Sequence, residues 1–178
     1  MGLRFSFIGI LALTIGFSQP AAAEKTIYDI VSDEDTAAFS DMYIRGYDVD
    51  EQDLDGMTPL MLAAARGKAT FVSFLLANGA NINKKNYNGQ NSLHMAAANG
   101  HNEVINILID GGINVNMPDL DGMTPLMLAV KNEQRFSVEI LLKRGAILNY
   151  FNARNQNAMK LAEMTRNSDI INLLKTHK

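Results

Sequence analysis

The sequence predicts an all-α architecture built from stacked repeat units. Residues 53–63 read DLDGMTPLMLA, and the same eleven letters recur at residues 119–129. Half-way between these two segments, residues 86–96 read NYNGQNSLHMA, a looser copy of the same phrase. A fixed period near 33 residues is typical of repeat arrays, in which each unit buries its apolar face only against its neighbours.

The beginning of each unit predicts a turn followed by a helix. An Asp or Asn and a Gly predict the tip of a β-hairpin, because Gly and Asn tolerate a positive φ. Thr58-Pro59 and Thr124-Pro125 then predict the start of a first helix. Thr caps free backbone N–H groups, and Pro is preferred at the first helical position. Gly67 and Gly100 predict the end of that helix.

The rest of each unit predicts a second helix with one buried face. Apolar residues recur there at the i, i+3, i+4 spacing of a helix face. They are Val72, Leu75 and Leu76, then Val104, Ile107 and Leu108, then Val138, Leu141 and Leu142. Each second helix is followed by a Gly, at positions 79, 112 and 145.

This pattern resembles the ankyrin repeat family. The resemblance rests on residues of the first full unit and on their counterparts in the next two, namely Gly56, Thr58, Pro59, Leu60, Ala63, Gly79, Ala80 and Asn83. It covers essentially all of the chain after residue 23. The resemblance implies an ankyrin-repeat solenoid, in which helix–turn–helix units stack with β-hairpin tips projecting from one edge.

The phase divides residues 24–178 into one domain of three full repeats between two cap repeats. The repeats are 53–85, 86–118 and 119–151, and the caps are 24–52 and 152–178. Both caps depart from the pattern, which is expected of terminal units that must show a polar outer face. Inside the array, Glu133 stands where the other full repeats have Gly67 and Gly100. A left-handed residue other than Gly costs roughly 1 kcal/mol, so we expect this turn to be distorted or adapted.

Residues 1–23 are predicted to be a cleaved signal peptide. Arg4 is followed by an apolar run from Phe5 to Phe17 and by the small residues 21–23. The run is too short to span a bilayer, which takes roughly 20 residues. The alternatives are an uncleaved anchor and a buried helix. The chain has no Cys, which excludes a lipid-anchored lipoprotein and predicts stability without disulfides. We therefore expect an exported protein, periplasmic or secreted, with no membrane insertion after cleavage.

Composition and motifs argue against several functional classes. The formal charge of −3 does not indicate a nucleic-acid partner, because such proteins carry a clustered basic excess. No nucleophile motif or phosphate-binding glycine loop is present, so the chain is predicted to be no enzyme and to need no cofactor. His94 is expected to form a hydrogen bond within its turn, and its spacing from His101 is not a metal-ligand motif. The acid pairs near Gly56 and Gly122 are interpreted as turn formers.

The remaining possibility is that the chain binds another protein. In the absence of that partner it is predicted to be a monomer. The resemblance implies that the hairpin tips and the open side of the first helices form the binding surface. The positions that it carries over are Gln52, Leu54, Asp55, Met57, Arg66, Lys85, Tyr87, Asn88, Gln90, Asn99, Pro118, Leu120, Asp121, Met123, Lys131, Asn132, Phe151, Arg154 and Gln156.

Among these, Leu54, Tyr87 and Leu120 share one tip position, and Phe151 lies beside the fourth tip. Met57 and Met123 share another position. A tip has little core against which to bury such side chains, so they are predicted to face a partner. The alternative is that they pack sideways on neighbouring tips.

The layout, a short signal-bearing ankyrin chain, is similar to periplasmic ankyrin proteins that predatory bacteria use for self-protection. Those proteins cover the active sites of peptidoglycan endopeptidases. The resemblance therefore implies a periplasmic immunity protein that inhibits, or protects against, a secreted enzyme such as a peptidoglycan hydrolase. Two other ankyrin readings stay open: a partner of a periplasmic catalase in oxidative-stress defence, and an effector exported into a host cell.

Overall fold

A computed structural model of the protein describes residues 26–177. Over this range the chain forms ten helices and no strand. The predicted signal peptide lies outside the described residues. The helices are α1 (Ile27–Asp33), α2 (Thr36–Ile44), α3 (Pro59–Ala65), α4 (Ala69–Ala77), α5 (Ser92–Asn99), α6 (Asn102–Asp110), α7 (Pro125–Lys131), α8 (Arg135–Lys143), α9 (Ala158–Thr165) and α10 (Ser168–Thr176).

The helices form two packed rows, as the 33-residue period predicts. The odd-numbered helices α1 to α9 contact one another in chain order, while α4, α6, α8 and α10 form the second row. Ala63, Ala96, Ala129 and Ala162 lie in the first row and are fully buried. Their small side chains let neighbouring helices approach closely, which explains why this position is Ala in every unit from the second to the fifth.

The first helices begin where the sequence predicts. Thr58 and Thr124 are the N-caps of α3 and α7, and each Oγ1 accepts a hydrogen bond of 3.3 Å from a backbone N–H of the first turn. Pro follows in both cases. Asn91 and Asn157 replace Thr as the caps of α5 and α9, and their Oδ1 atoms accept equivalent bonds. The capping chemistry is thus conserved between units although the residue changes.

The turn between the two helices of each unit has a left-handed residue in all five units. These residues are Glu34, Gly67, Gly100, Glu133 and Arg166. The turn at Glu133 is not distorted, since its φ of 58° and its backbone hydrogen bonds match those of the glycine turns. Its side chain is instead adapted to the next unit, because Glu133 Oε2 accepts a hydrogen bond of 2.8 Å from Asn167 Nδ2.

Whether the left-handed position of this turn can hold a side chain depends on the residue that the next unit packs against it. A Cβ added to Gly67 would lie 2.5 Å from Nδ1 of His101, whose Nε2 bonds the Ala65 carbonyl at 3.0 Å. We therefore expect Gly67→Ala to lower the free energy of unfolding by about 2 kcal/mol, from left-handed strain and displacement of His101. The control Glu133→Ala should cost no more than about 0.5 kcal/mol, because that turn already holds a side chain. Urea unfolding of both variants measures the difference, and equal losses would contradict this explanation.

The predicted hairpin tips are present as tight turns, and no strand extends from them within residues 26–177. Each tip is closed by two backbone bonds: in the first tip Asp53 N donates to Met57 O, and Gly56 N donates to Asp53 O, both at 3.0 Å. The side chain of the first residue in each tip accepts hydrogen bonds from backbone N–H groups that would otherwise be free to pair with a neighbouring strand. Asp53 Oδ1 accepts from the backbone N–H groups of Asp55 and Met57 at 2.9 and 2.8 Å. Asn86, Asp119 and Asn152 do the same in the later tips.

Candidate protein-binding surface

The tips carry a row of exposed apolar side chains, which we call the tip stripe: Leu54, Tyr87, Leu120 and Phe151. Their exposed fractions are 97%, 66%, 77% and 54%. No ladder or core holds these side chains, although each is large and apolar. Their exposure fits the predicted partner-facing position, and their role in binding stays a prediction.

Successive tips are joined by backbone hydrogen bonds. Tyr87 N donates to Asp55 O at 3.4 Å, Leu120 N donates to Asn88 O at 3.0 Å, and Ala153 N donates to Asp121 O at 2.8 Å. These bonds hold the backbone of the second, third and fourth tips without using the side chains of the tip stripe.

The alternative of sideways packing holds in part. A Cβ added to Gly56 would lie 2.8 Å from Tyr87 Cδ1, and one added to Gly89 would lie 3.0 Å from Leu120 Cγ. The Tyr87 and Leu120 side chains therefore each rest one edge on the glycine of the preceding tip, while most of their surface stays open. Leu54 belongs to the first tip and is almost fully exposed.

The two methionines do not lie free at the tips, which corrects the expectation drawn from their spacing. Met123 is 8% exposed, and Met57 is half-buried. Asn152 Nδ2 lies 3.2 Å from the Met123 sulfur, and Asn86 Nδ2 lies 3.5 Å from the Met57 sulfur. Each methionine thus packs under the amide that begins the following tip, and the fold uses it.

Two of the predicted polar positions also serve the scaffold. Gln52 Nε2 donates to the carbonyl oxygens of Gly56 and Lys85 at 2.5 and 2.8 Å, which links two units. Gln90 Nε2 donates to Asp119 Oδ2 at 3.1 Å, which links the next two. Both side chains are half-buried, so neither is fully available to a partner.

The other predicted positions mostly remain open to solvent. Asp55, Asn88, Asn99, Asp121, Lys131, Asn132 and Arg154, together with Lys85, are exposed, while Pro118 and Gln156 are half-buried. The Arg66 guanidinium lies 5.2 Å from the ring centre of Tyr28, and the Tyr28 hydroxyl donates to Asp53. The sequence did not single out Tyr28, because its partners Asp53 and Arg66 belong to the next unit.

The comparisons with known proteins agree with this geometry. The family model for ankyrin repeats in three copies matches residues 28–119, and the model for ankyrin repeats in many copies matches residues 108–162. The first match alone spans more than half of the chain. The chain belongs to the ankyrin repeat family. A search of curated proteins finds no match.

Ankyrin repeats mediate binding to another protein, and the family is generally a non-catalytic interaction module. Within the part of this ankyrin chain that the structure describes, no group of three or more His, Asp or Glu side chains could hold a metal ion. Across residues 26–177, no helix combines the length and the apolar character that crossing a bilayer requires.

His94 has the structural role that its position predicts in an ankyrin repeat. The side chain is fully buried, and Nε2 lies 3.2 Å from Met123 O. Nδ1 lies 3.2 Å from Asn91 N and 2.6 Å from Asn91 Oδ1, so both ring nitrogens have polar partners within the turn or in the next tip. Burial lowers the pKa of His94 to about 4, against a smaller opposing effect of Asp119. The ring is therefore neutral at pH 7 and links its own unit to the next tip.

Proposed function

We propose that the mature ankyrin domain is a periplasmic protein-binding module that inhibits, or protects against, a secreted enzyme. A peptidoglycan hydrolase of the endopeptidase type is the first partner to test. The observation that carries the proposal is the tip stripe, whose four apolar side chains stay exposed on a backbone that is already held in place. Aromatic and large apolar side chains of this kind supply much of the binding energy at protein interfaces.

Two further features support this function. Residues 1–23 carry the pattern of an export signal, which favours a partner outside the cytoplasm. The tips project from one edge of the array as a continuous row, and such a row suits the blocking of an active-site cleft by contact alone. Inhibition of this kind needs no cofactor and no catalytic residue in the ankyrin chain.

The tip stripe can be tested with matched surface variants. We expect Tyr87→Ser combined with Leu120→Ser to weaken binding of the partner enzyme about 100-fold, because each substitution removes one apolar contact. Leu54→Ser should weaken it too, with no change in melting temperature. The control Phe136→Ser removes a side chain that is 64% exposed on α8, outside the tips, and should leave affinity unchanged.

The measurement is a periplasmic pull-down with the mature domain, followed by titration calorimetry and hydrolase assays on purified components. We expect inhibition at a one-to-one ratio. Failure to bind any periplasmic hydrolase would sink this function, and capture of a catalase would favour oxidative-stress defence instead. Recovery of the protein inside host cells, with none kept in the periplasm, would favour a host-directed effector.

A further inference from the structure

A small pocket lies on the open side of the array at its C-terminal end. Its volume is about 260 Å³, and the third full repeat and the C-terminal cap both contribute to it. The fourth tip supplies Arg154 and Gln156, the end of α7 supplies Lys131, and α9 supplies Leu161 and Met164. The pocket therefore does not exist in any single repeat, and the 33-residue pattern does not reveal it.

The polar side of the pocket carries uncompensated positive charge. Lys131 and Arg154 are exposed, and among residues 26–177 neither forms an ion pair. Asp121 at the rim is the one carboxylate among the described lining residues. Two cations thus face one anion, so the pocket attracts a further negative group.

The charge of the surroundings has the same sign. Residues 131–177 contain eight Lys or Arg and four Asp or Glu, whereas residues 26–55 contain one Arg and ten Asp or Glu. The array is therefore basic at the end that holds the pocket and strongly acidic at the other. An anionic group approaching the open side is steered towards the C-terminal end.

The opposite side of the pocket is apolar. Met123 and Leu161 are buried in its floor, and Met164 is 60% exposed at its edge. Gln156 Nε2 lies 3.2 Å from the Met164 sulfur, and both residues line the pocket together with Lys131 and Arg154. A side chain that combines a short aliphatic stem with a terminal carboxylate fits both sides.

From this arrangement we infer that the pocket receives a Glu or Asp side chain from the surface of the partner protein. Arg154 and Lys131 bind the carboxylate, and Met123, Leu161 and Met164 contact its stem. This site rests on the proposed protein-binding function, and it adds a specific requirement to it. The partner must present an acidic residue next to the apolar patch that meets the tip stripe.

The test uses short synthetic peptides, so that it does not depend on the identity of the enzyme. Acetyl-Ala-Leu-Glu-Leu-Ala-amide is titrated into the isotope-labelled mature domain, and the backbone amide shifts of residues 131, 154 and 164 are followed by NMR. The matched peptide with Gln in place of Glu should bind at least about tenfold more weakly, because it lacks the charge-assisted bonds.

Variants of the domain complete the test. Lys131→Gln with Arg154→Gln should weaken binding of the Glu peptide about tenfold, while Lys143→Gln with Lys175→Gln removes the same charge elsewhere and should not. Asp121→Asn should strengthen binding of the Glu peptide, since it removes the repelling carboxylate. A role of these residues in stability alone would not produce that gain.

Three outcomes would overturn the inference. They are equal shifts with the Glu and Gln peptides, equal effects of the two double variants, and binding only of Ala-Leu-Gln-Leu-Ala with a free C-terminal carboxylate, which would identify a chain terminus as the ligand. Because these peptides contain no enzyme, the pocket can be confirmed even if no hydrolase is captured. A captured hydrolase whose affinity ignores Lys131 and Arg154 would refute the pocket and leave the proposed function standing.

Discussion

Replacing Phe39 by Ala should lower the free energy of unfolding by about 3–5 kcal/mol, the largest loss that we expect from any single substitution considered. Phe39 lies on α2 in the N-terminal cap and is fully buried. Its ring makes edge contacts with Tyr47, Phe71 and Phe74 at centroid distances of 6.2, 5.7 and 5.9 Å. Truncation leaves a cavity and removes three aromatic pairs at once.

The loss should begin in the cap, because Phe39 joins that unit to the first full repeat through the two rings of α4. Urea unfolding gives the total loss, and amide exchange should show faster exchange in α1 and α2 than in α5 to α8. The control Tyr43→Ala removes an exposed ring from the same helix and should lower the free energy of unfolding by less than about 1 kcal/mol. A loss from Phe39→Ala below that value would contradict the assignment of Phe39 as the anchor of the cap.

The stability of the domain should fall between pH 6.5 and pH 4 because of His94. Burial lowers the folded pKa of His94 to about 4, while an unfolded His titrates near 6.5. Between pH 4 and pH 6.5 His94 is protonated in the unfolded chain and neutral in the folded one, so the free energy of unfolding rises with pH. The contribution is complete above pH 6.5 and is lost as the pH falls to 4. It amounts to about 3 kcal/mol.

This effect is measured as the difference in pH slope between the native protein and His94→Gln. The Gln side chain is neutral throughout, so its unfolding free energy should lack this slope between pH 4 and 6.5. Above pH 7 both proteins should show flat profiles, which provides the control for the substitution itself. Parallel slopes in the acidic range would show that His94 does not govern the acid sensitivity.

The sequence predicts the helices well because their signals are local. Thr58-Pro59 predicts where α3 begins, and the apolar spacing of Val138 and Leu141 predicts which face of α8 is buried. The repetition of these signals every 33 residues makes the two-row architecture certain. The family match supports the same conclusion independently.

The sequence predicts the surface less well, because exposure depends on residues from the next unit. The sequence pattern does not distinguish Met57 and Met123 from Leu54 and Leu120, since all four lie in the same eleven-residue segment. Asn152 approaches the Met123 sulfur from 29 positions further along the chain, and this contact is not encoded in the phrase. The C-terminal pocket is not predicted from the sequence for the same reason, since Lys131 belongs to the third full repeat while Arg154 and Met164 belong to the C-terminal cap.

The backbone bonds that join successive tips have a consequence for the thermodynamics of association. A flexible binding loop loses conformational freedom when a partner orders it, and this loss opposes affinity. The tips of this chain are already ordered by the bonds at Tyr87, Leu120 and Ala153, so little of that entropy remains to be lost. A partner whose contacts match the spacing of the tips can therefore bind tightly over a modest area. A partner with a different spacing binds weakly, because the tips do not change conformation to fit it.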